Sequence, residues 1–321
     1  MKIFRSINDF PNVTSTVATV GTFDGLHAGH QTILERIKNR AKEISGCSVL
    51  ISFDPHPRRL VHPEYPLQLL TTIDERSELL SKMGLDYLIV QNFNEDFAKI
   101  ESIDFVRNFL IEKIGVKHLV IGHDHRFGKN REGSFKNLEE YAPVYGFGLE
   151  EISAVQIEEN NISSTQIRKA ITSGNVKVAS YALTRPHFIS GKVIQGKKIG
   201  RDLGFPTANV GEVHPDKIFP SEGVYSVVVD ILDDPKFRQV MGIANYGKRP
   251  SIGNEKPLLE VHLLEGGQDL YDRPIRVHFI DRIRDEKKFN SKDDLRSQII
   301  KDVEIAKSQL SELDYITYFL L

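Results

Sequence analysis

Tryptophan is absent from this chain and cysteine occurs once, as Cys47. A single thiol excludes an intramolecular disulfide and a cysteine-rich zinc module, and it suits a reducing compartment. No stretch approaches the ~20 apolar residues that carry a helix across a bilayer. The opening MKIFRSINDFPNV is broken by Arg5, Asn8, Asp9 and Pro11 before any apolar run suited to a secretory leader, so a cytoplasmic protein with no membrane partner is expected. Excess charge of one sign is missing too. Lys and Arg number 42 against 44 Asp and Glu, a net charge of −2, too little field to hold a nucleic-acid backbone along a broad face. Any phosphate must be gripped locally, yet the sequence contains neither a G-x-x-x-x-G-K-[ST] loop nor a G-x-G-x-x-G fingerprint.

What is present is ordinary globular material. The 321 residues, 40% hydrophobic and 27% charged, make two compact units at ~150 residues each. Residues 1 to 183 alternate β-branched runs with segments of helical period, the pattern of a parallel sheet with crossover helices. Strands are expected at Thr16–Val20, Ser48–Phe53, Tyr87–Val90, His118–Ile121 and Leu149–Val155. Helices are expected at Gly29–Ile44, at Asp74–Met83 behind a Thr72/Glu75 capping box, and at Ser102–Ile114 before Gly115. Near Pro186 the texture changes. Residues 184 to 321 show short alternating runs separated by glycine and proline, at Phe188–Ile194, Val224–Ile231, Gln239–Ile243, Leu259–Leu264 and Ile275–Arg282, which fits a small barrel or sandwich. A final helix capped at Ser291 carries the stripe Leu295, Ile299, Val303, Ala306 and Leu310.

The strongest chemical signal is Gly21-Thr22-Phe23-Asp24-Gly25-Leu26-His27-Ala28-Gly29-His30, where the first expected strand hands over to a helix. In open α/β sheets ligands bind beyond the carboxyl ends of strands, and a helix N-terminus offers unpaired N–H groups to an anion. Gly21, Gly25 and Gly29 allow close backbone approach, and His27 and His30 add donors for phosphate oxygens. The decapeptide resembles the HxGH motif of the nucleotidylyltransferase superfamily. Ile162-Ser163-Ser164-Thr165-Gln166-Ile167-Arg168 also precedes a helical run. By itself its serine pair is an N-cap, with Arg168 placed in the first turn. It is similar to the superfamily segment that grips the β- and γ-phosphates, with Ser164, Thr165 and Arg168 at the matching positions.

The second half opens with Gly196-Lys197-Lys198-Ile199-Gly200-Arg201-Asp202-Leu203-Gly204-Phe205-Pro206-Thr207-Ala208-Asn209, a glycine and lysine spacing able to wrap a polyphosphate. Thr207 and Asn209 offer neutral oxygens to a hard cation, and Glu260 alternates with apolar neighbours, facing either solvent or a site.

Together GTFDGLHAGH, FDPHP, GHDHRFG, ISSTQIR, GKKIGRDLGFPTAN, GVYSV, GIANYGKRPSIG, LEVHLL and RDEKKF resemble, in order and across nearly the whole chain, the prokaryotic bifunctional riboflavin kinase/FAD synthetase family. The resemblance implies a Rossmann-like nucleotidylyltransferase domain over residues 1–183 and a six-stranded riboflavin-kinase barrel with a terminal helix over 184–321. It implies ATP as substrate, Mg²⁺ as cofactor, and riboflavin, FMN and FAD as ligands, in a monomer or weak homo-oligomer. For the adenylyltransferase it implies His27, His30 and Arg168 in catalysis, Gly21, Phe23, Asp24, Gly25, Ser164 and Thr165 on ATP, and Phe53, His56, Pro57 and Asp124 on the flavin. For the kinase it implies Glu260 as base, Gly196, Lys197, Gly200, Gly204, Pro206, Thr207 and Asn209 on ATP, Thr207 and Asn209 on the metal, and Arg284, Glu286 and Phe289 on the flavin. The competing readings are a cytidylyltransferase acting on an alcohol phosphate, or a binding protein that senses flavin or nucleotide without turnover.

Overall fold

A computed structural model describes all residues except 12, 62, 65, 124, 154–162, 197–199, 201–202, 249–256, 266–268 and 312–321. Two expected site residues, Asp124 and Lys197, lie outside the described residues, as do parts of the ISSTQIR, glycine-loop and GIANYGKRPSIG segments. The chain divides into two compact units, Met1–Ser164 and Thr165–Leu320.

The first unit is built on a six-stranded, wholly parallel sheet: β1 Lys2–Phe4, β2 Thr16–Val20, β3 Cys47–Phe53, β4 Tyr87–Gln91, β5 Val116–Gly122 and β6 Gly148–Ile152, in the order β1-β4-β3-β2-β5-β6. Helix α1, Ala28–Glu43, leaves β2 and packs on β2, β3 and β5 through Ile33, Leu34, Ile37 and Ala41. From β2 the chain works outward through β3 to β4 and then crosses to β5 on the other side. The order reverses at the β2/β5 boundary, and a loop at the carboxyl end of β2 lies in the crevice that such a reversal opens.

Helix α2, Ile73–Lys82, starts from the expected capping box: Thr72 Oγ1 accepts from Glu75 N, and the Glu75 carboxylate accepts from Thr72 N. The helix expected over 102–114 is wound differently. Ser102–Asp104 leads into a π-helical stretch, Phe105–Lys113, whose wider turn lets Phe105 and Leu110, five residues apart, both be buried. Helix α3, Phe135–Tyr145, ends at Gly146 in the left-handed region. β1 was not expected because its three residues are largely exposed and carry no alternation.

In the second unit, helices α4 (Ser164–Thr172, its first residue assigned to the first unit) and α5 (Val176–Leu183) precede a closed antiparallel barrel. Its strands are β7 His187–Ile194, β8 Ala208–Gly211, β9 Gly223–Ile231, β10 Val240–Gly247, β11 Leu258–Leu263 and β12 Pro274–Arg284, ordered β10-β11-β8-β7-β12-β9 around the ring. Two strands correct the expected boundaries. β8 is too short and polar to stand out, and β10 runs on through Ala244-Asn245-Tyr246-Gly247, which reads as a turn in sequence but pairs with both neighbours. The interior is filled by alternate residues, among them Ile189, Val210, Val227, Val229, Leu259, Val261, Val277 and Phe279. The terminal helix α6, Lys292–Ser311, covers one flank with Ala306 and Leu310 against Val228, Ile243 and Ile280, and Ser291 Oγ caps it by accepting from Asp294 N.

Candidate active sites

The loop from Gly21 to His27 leaves β2 in a tight path. Gly21 N donates to the Ile51 carbonyl at 3.0 Å, Phe23 and Leu26 take positive φ (49° and 46°) although both are buried, and Gly25 has φ 85°. Non-glycine residues in that region need the surroundings to hold them there. The holding group is Asp24. Its carboxylate, 1% exposed, accepts from Leu70 N (3.0 Å), Thr71 N (2.9 Å) and Thr71 Oγ1 (3.2 Å), and faces Arg76 Nη2 at 3.5 Å. Thr71 Oγ1 in turn accepts from Gly25 N at 3.0 Å. Arg76 also donates to Ser52 Oγ on β3 and to the Thr71 carbonyl. Asp24 therefore braces the loop from beneath through Thr71 and Arg76, neither of which the sequence pointed to.

His27 is the N-cap of α1, its Nδ1 accepting from His30 N at 3.4 Å. An accepting Nδ1 places the imidazole proton on Nε2, where it is a donor. The two imidazoles stack with centroids 3.7 Å apart, and His30 stacks on Phe23 at 4.6 Å. No acidic residue occupies the first turn of α1, so the positive end of the helix is uncompensated there. Backbone N–H groups and imidazole donors thus converge on one edge of the sheet, an arrangement suited to phosphate oxygens.

The loops after the two strands flanking β2 rise from the same edge. After β3, Phe53 packs edge-on to Phe93 at 5.5 Å and tilted against Phe97 at 5.8 Å. The Asp54–Pro55 peptide is cis, His56 Nδ1 accepts from Arg58 N, and Pro57 opens the short helix Pro57–Val61. Phe93 and Phe97 extend an aromatic wall of which only Phe53 was expected. After β5, His123 faces Glu151 at 3.4 Å and His125 stacks on Phe127. Ser164 Oγ donates to the Asp24 carbonyl at 3.2 Å, tying the first residue of α4 to this loop. Thr165 and Arg168 follow on α4, Arg168 as its fifth residue and so past the first turn in which it was expected.

On the barrel, Leu259 and Val261 point inward, so Glu260 lies on the outer wall, half-buried. It is paired with Asn209 on β8 and Asn245 on β10. Directly opposed residues share a face, with Cβ atoms ~4.5–5.5 Å apart, so a carboxylate stands between two carboxamides on one rung. Among the described residues of the 196–204 segment, Gly196 approaches this rung. A Cβ on Gly196 would strike the Asn209 carboxamide, and one on Gly200 would come to 3.2 Å from Thr207 Oγ1. Gly204 takes φ 87°, and the Pro206 carbonyl accepts from His262 Nδ1 at 2.8 Å. Beyond β12, Glu286 sets its carboxylate over Gly247, where a Cβ would meet Oε1 at 2.5 Å, and Phe289 lies beneath the Arg284 guanidinium. Arg284 is engaged on its other side, donating through Nε and Nη2 to the buried Asp302 of α6 at 2.8–3.0 Å. It anchors the 284–289 loop to the terminal helix.

A glycine- and histidine-bearing loop at the reversal point of a parallel sheet, joined in one chain to a closed barrel that carries the Asn209, Glu260 and Asn245 rung, is an arrangement suited to a two-site transferase that uses nucleotides. Comparison with known proteins agrees. The FAD synthetase family model matches residues 10–166 and the riboflavin kinase model residues 183–310. A protein named bifunctional riboflavin kinase/FMN adenylyltransferase from Buchnera aphidicola subsp. Schizaphis graminum is 38% identical (96% of this chain, 98% of the relative). The Escherichia coli K12 relative of that name is 34% identical (94% and 96%). The crystal structure of a macrolide-efflux protein from Streptococcus pneumoniae superposes with a TM-score of 0.85 at 30% identity, covering 95% of this chain and 98% of that one. Among the described residues no helix is long and apolar enough to cross a membrane. The chain belongs to the bifunctional riboflavin kinase/FMN adenylyltransferase family.

Proposed function

We propose that this chain converts riboflavin to FMN on the barrel and FMN to FAD on the parallel sheet, with ATP as donor in both steps. The observation that supports the reading is that the two units each carry their own cluster of polar groups, the histidine stack at the start of α1 in one and the Glu260 rung beside Gly196 in the other.

On the barrel, Glu260 accepts the proton of riboflavin's terminal ribityl hydroxyl as that oxygen attacks the γ-phosphorus. The bond from γ-phosphorus to the bridging oxygen breaks, and ADP leaves. Gly196, Lys197, Gly200, Gly204 and Pro206 lie over the triphosphate, Glu286 and Phe289 border the flavin, and Arg284 steadies their loop. The family implies Mg²⁺. Thr207 and Asn209 fit it as neutral oxygen donors closely approached by Gly200 and Gly196, since this ion keeps most of its shell as water and phosphate. When bound, Mg²⁺ neutralises the charge of the triphosphate.

On the sheet, a phosphate oxygen of FMN attacks the α-phosphorus of ATP and pyrophosphate leaves, with no covalent enzyme intermediate. His27 and His30 donate to the α-phosphoryl oxygens, and Gly21, Phe23, Gly25 and the Asp24 brace shape the nucleotide pocket. Ser164, Thr165 and Arg168 hold the departing phosphates, and Phe53, His56, Pro57 and Asp124 border the flavin. Functional boundaries at 1–183 and 184–321, a cytoplasmic location, and a monomeric or weakly self-associating state without nucleic-acid or membrane partners belong to the same reading.

The test is chromatography of the products formed from riboflavin with Mg-ATP, with CTP offered in parallel. FMN followed by FAD is expected with ATP. Neither product from folded protein would overturn the reading, and turnover with CTP on an alcohol phosphate would favour a cytidylyltransferase. Glu260→Gln should stop FMN formation and spare FMN-to-FAD conversion, and His30→Ala should do the reverse. Either change abolishing both reactions in folded protein would refute independent sites.

A further inference from the structure

Asn245 lies in GIANYGKRPSIG, a segment to which no chemical role has been attached. β10 places it directly opposite Glu260, on the side away from the apolar interior, because its neighbour Ala244 belongs to the barrel core. Ile243, two residues earlier on the same side, is covered by α6. Asn245 therefore stands where the wall passes from a covered apolar flank to the polar rung. Its Oδ1 is buried and has no hydrogen-bond partner among the described residues. A buried carbonyl oxygen without a donor has given up water for nothing, and such a group in a site is accounted for when a ligand supplies the donor.

We propose that Asn245 positions the acceptor alcohol of the kinase reaction, its Oδ1 accepting a hydrogen bond from the secondary ribityl hydroxyl next to the one that attacks. The inference rests on the kinase reading of the Glu260 rung. The chemistry of a vicinal diol fits that rung. Two hydroxyls on adjacent carbons reach two side chains whose Cβ atoms are ~4.5–5.5 Å apart, one giving its proton to Glu260 and its neighbour donating to Asn245. Asn209, the third member, is enclosed by Gly196 on the nucleotide side. Glu260 is thereby flanked by a nucleotide-side carboxamide and an alcohol-side carboxamide. Because a site built to bond a hydroxyl rejects the analogue that lacks it, Asn245 also makes the kinase selective for a polyol chain over a simple primary alcohol.

The experiment uses the full chain, with riboflavin and 4′-deoxyriboflavin as acceptors and the thermal transition of the barrel, followed by calorimetry, as the control for folding. Asn245→Leu is expected to raise the KM for riboflavin at least about tenfold while leaving that for ATP within about twofold. The unaltered protein should discriminate against 4′-deoxyriboflavin, and the variant should lose most of that discrimination. Should Asn245→Leu fail the folding control, Asn245→Ser takes its place, and the deoxy analogue tests the unaltered protein without any substitution. An unchanged riboflavin KM in the folded variant, equal use of both acceptors by the unaltered protein, or an undiminished preference in the variant would each overturn the proposal. Glu260→Gln in parallel separates the two levels. An inactive Glu260→Gln with an indifferent Asn245 rejects Asn245 alone, whereas an active Glu260→Gln removes the site on which it rests.

Discussion

Arg76 and Asp24 meet at 3.5 Å with side chains only 3% and 2% exposed, and through Thr71 and Ser52 they tie the loop between β2 and α1 to the strand beside it. Removing one member of such a pair leaves a buried charge uncompensated, at a cost of about 3–5 kcal/mol. Arg76→Leu should therefore lower the thermal transition of the first unit and cut FMN-to-FAD conversion at least about tenfold, because the donors it aligns are needed in register. Riboflavin phosphorylation at a temperature below that transition should continue. Calorimetry and the two product assays check this.

Thr72 makes a contrasting case in the same unit. Its hydroxyl and the Glu75 carboxylate close a reciprocal cap on α2, outside the loop that bears the histidines. Thr72→Ala should cost about 1 kcal/mol and leave both activities at 25 °C essentially unchanged. Denaturant titration followed by the product assays separates stability from chemistry.

Acid should loosen the barrel in two windows. His278 is buried against Phe188 with Asp230 as its partner at 3.2 Å. Burial, reinforced by the nearby Arg276 and Arg185, holds its pKa below the ordinary imidazole range although Asp230 pulls the other way. It is neutral at pH 7 and acts on Asp230 as a hydrogen-bond donor. For Asp230, burial alone works upward. The His278 bond, the Gln239 N–H at 2.8 Å and Arg238 outweigh it and bring the carboxyl down to about 2. A histidine depressed in the folded state loses stability as pH falls below its unfolded value of ~6.5, where the unfolded chain takes up the proton first. The depressed aspartate contributes above ~3.9 and loses that contribution as pH falls towards its folded value. The melting temperature of the barrel should fall from about pH 6.5 downward and again below about pH 4. His278→Asn should flatten the first descent and, by removing the bond that helps hold Asp230 down, reduce the second as well.

Gly196 lies so close to Asn209 that a methyl group cannot be added without moving the carboxamide. Gly196→Ala should reduce kinase turnover at least about tenfold and raise the KM for ATP, since the displaced group lies on the nucleotide side of the rung. FMN-to-FAD conversion measured on the same preparation should not change.

The alternation of elements was legible in the sequence, and so were the short glycine- and histidine-bearing runs proposed as sites, because loops suited to phosphate need glycines and donors close together. β2 runs from Thr16 to Val20 and the Thr72/Glu75 cap forms as expected. What it could not show is partnership across distance. Arg76 and Thr71 serve a loop nearly fifty residues earlier in the chain, and nothing local distinguishes them from an exposed helix start. Asn245 and Gly247 look like turn residues until β9 and β11 pair on either side of them. Arg284 reads as a ligand contact on a charged loop, and only the fold brings Asp302 beneath it.

Because the ring of strands closes on itself, its inside is sealed with branched aliphatic and aromatic groups while the Asn209, Glu260 and Asn245 rung proposed for the chemistry lies on the outside. Heat resistance and choice of acceptor are therefore separable properties in this half of the molecule. Repacking the sealed interior would tune the first, and a new alcohol would be sought by exchanging the outward rung and its overhanging loops.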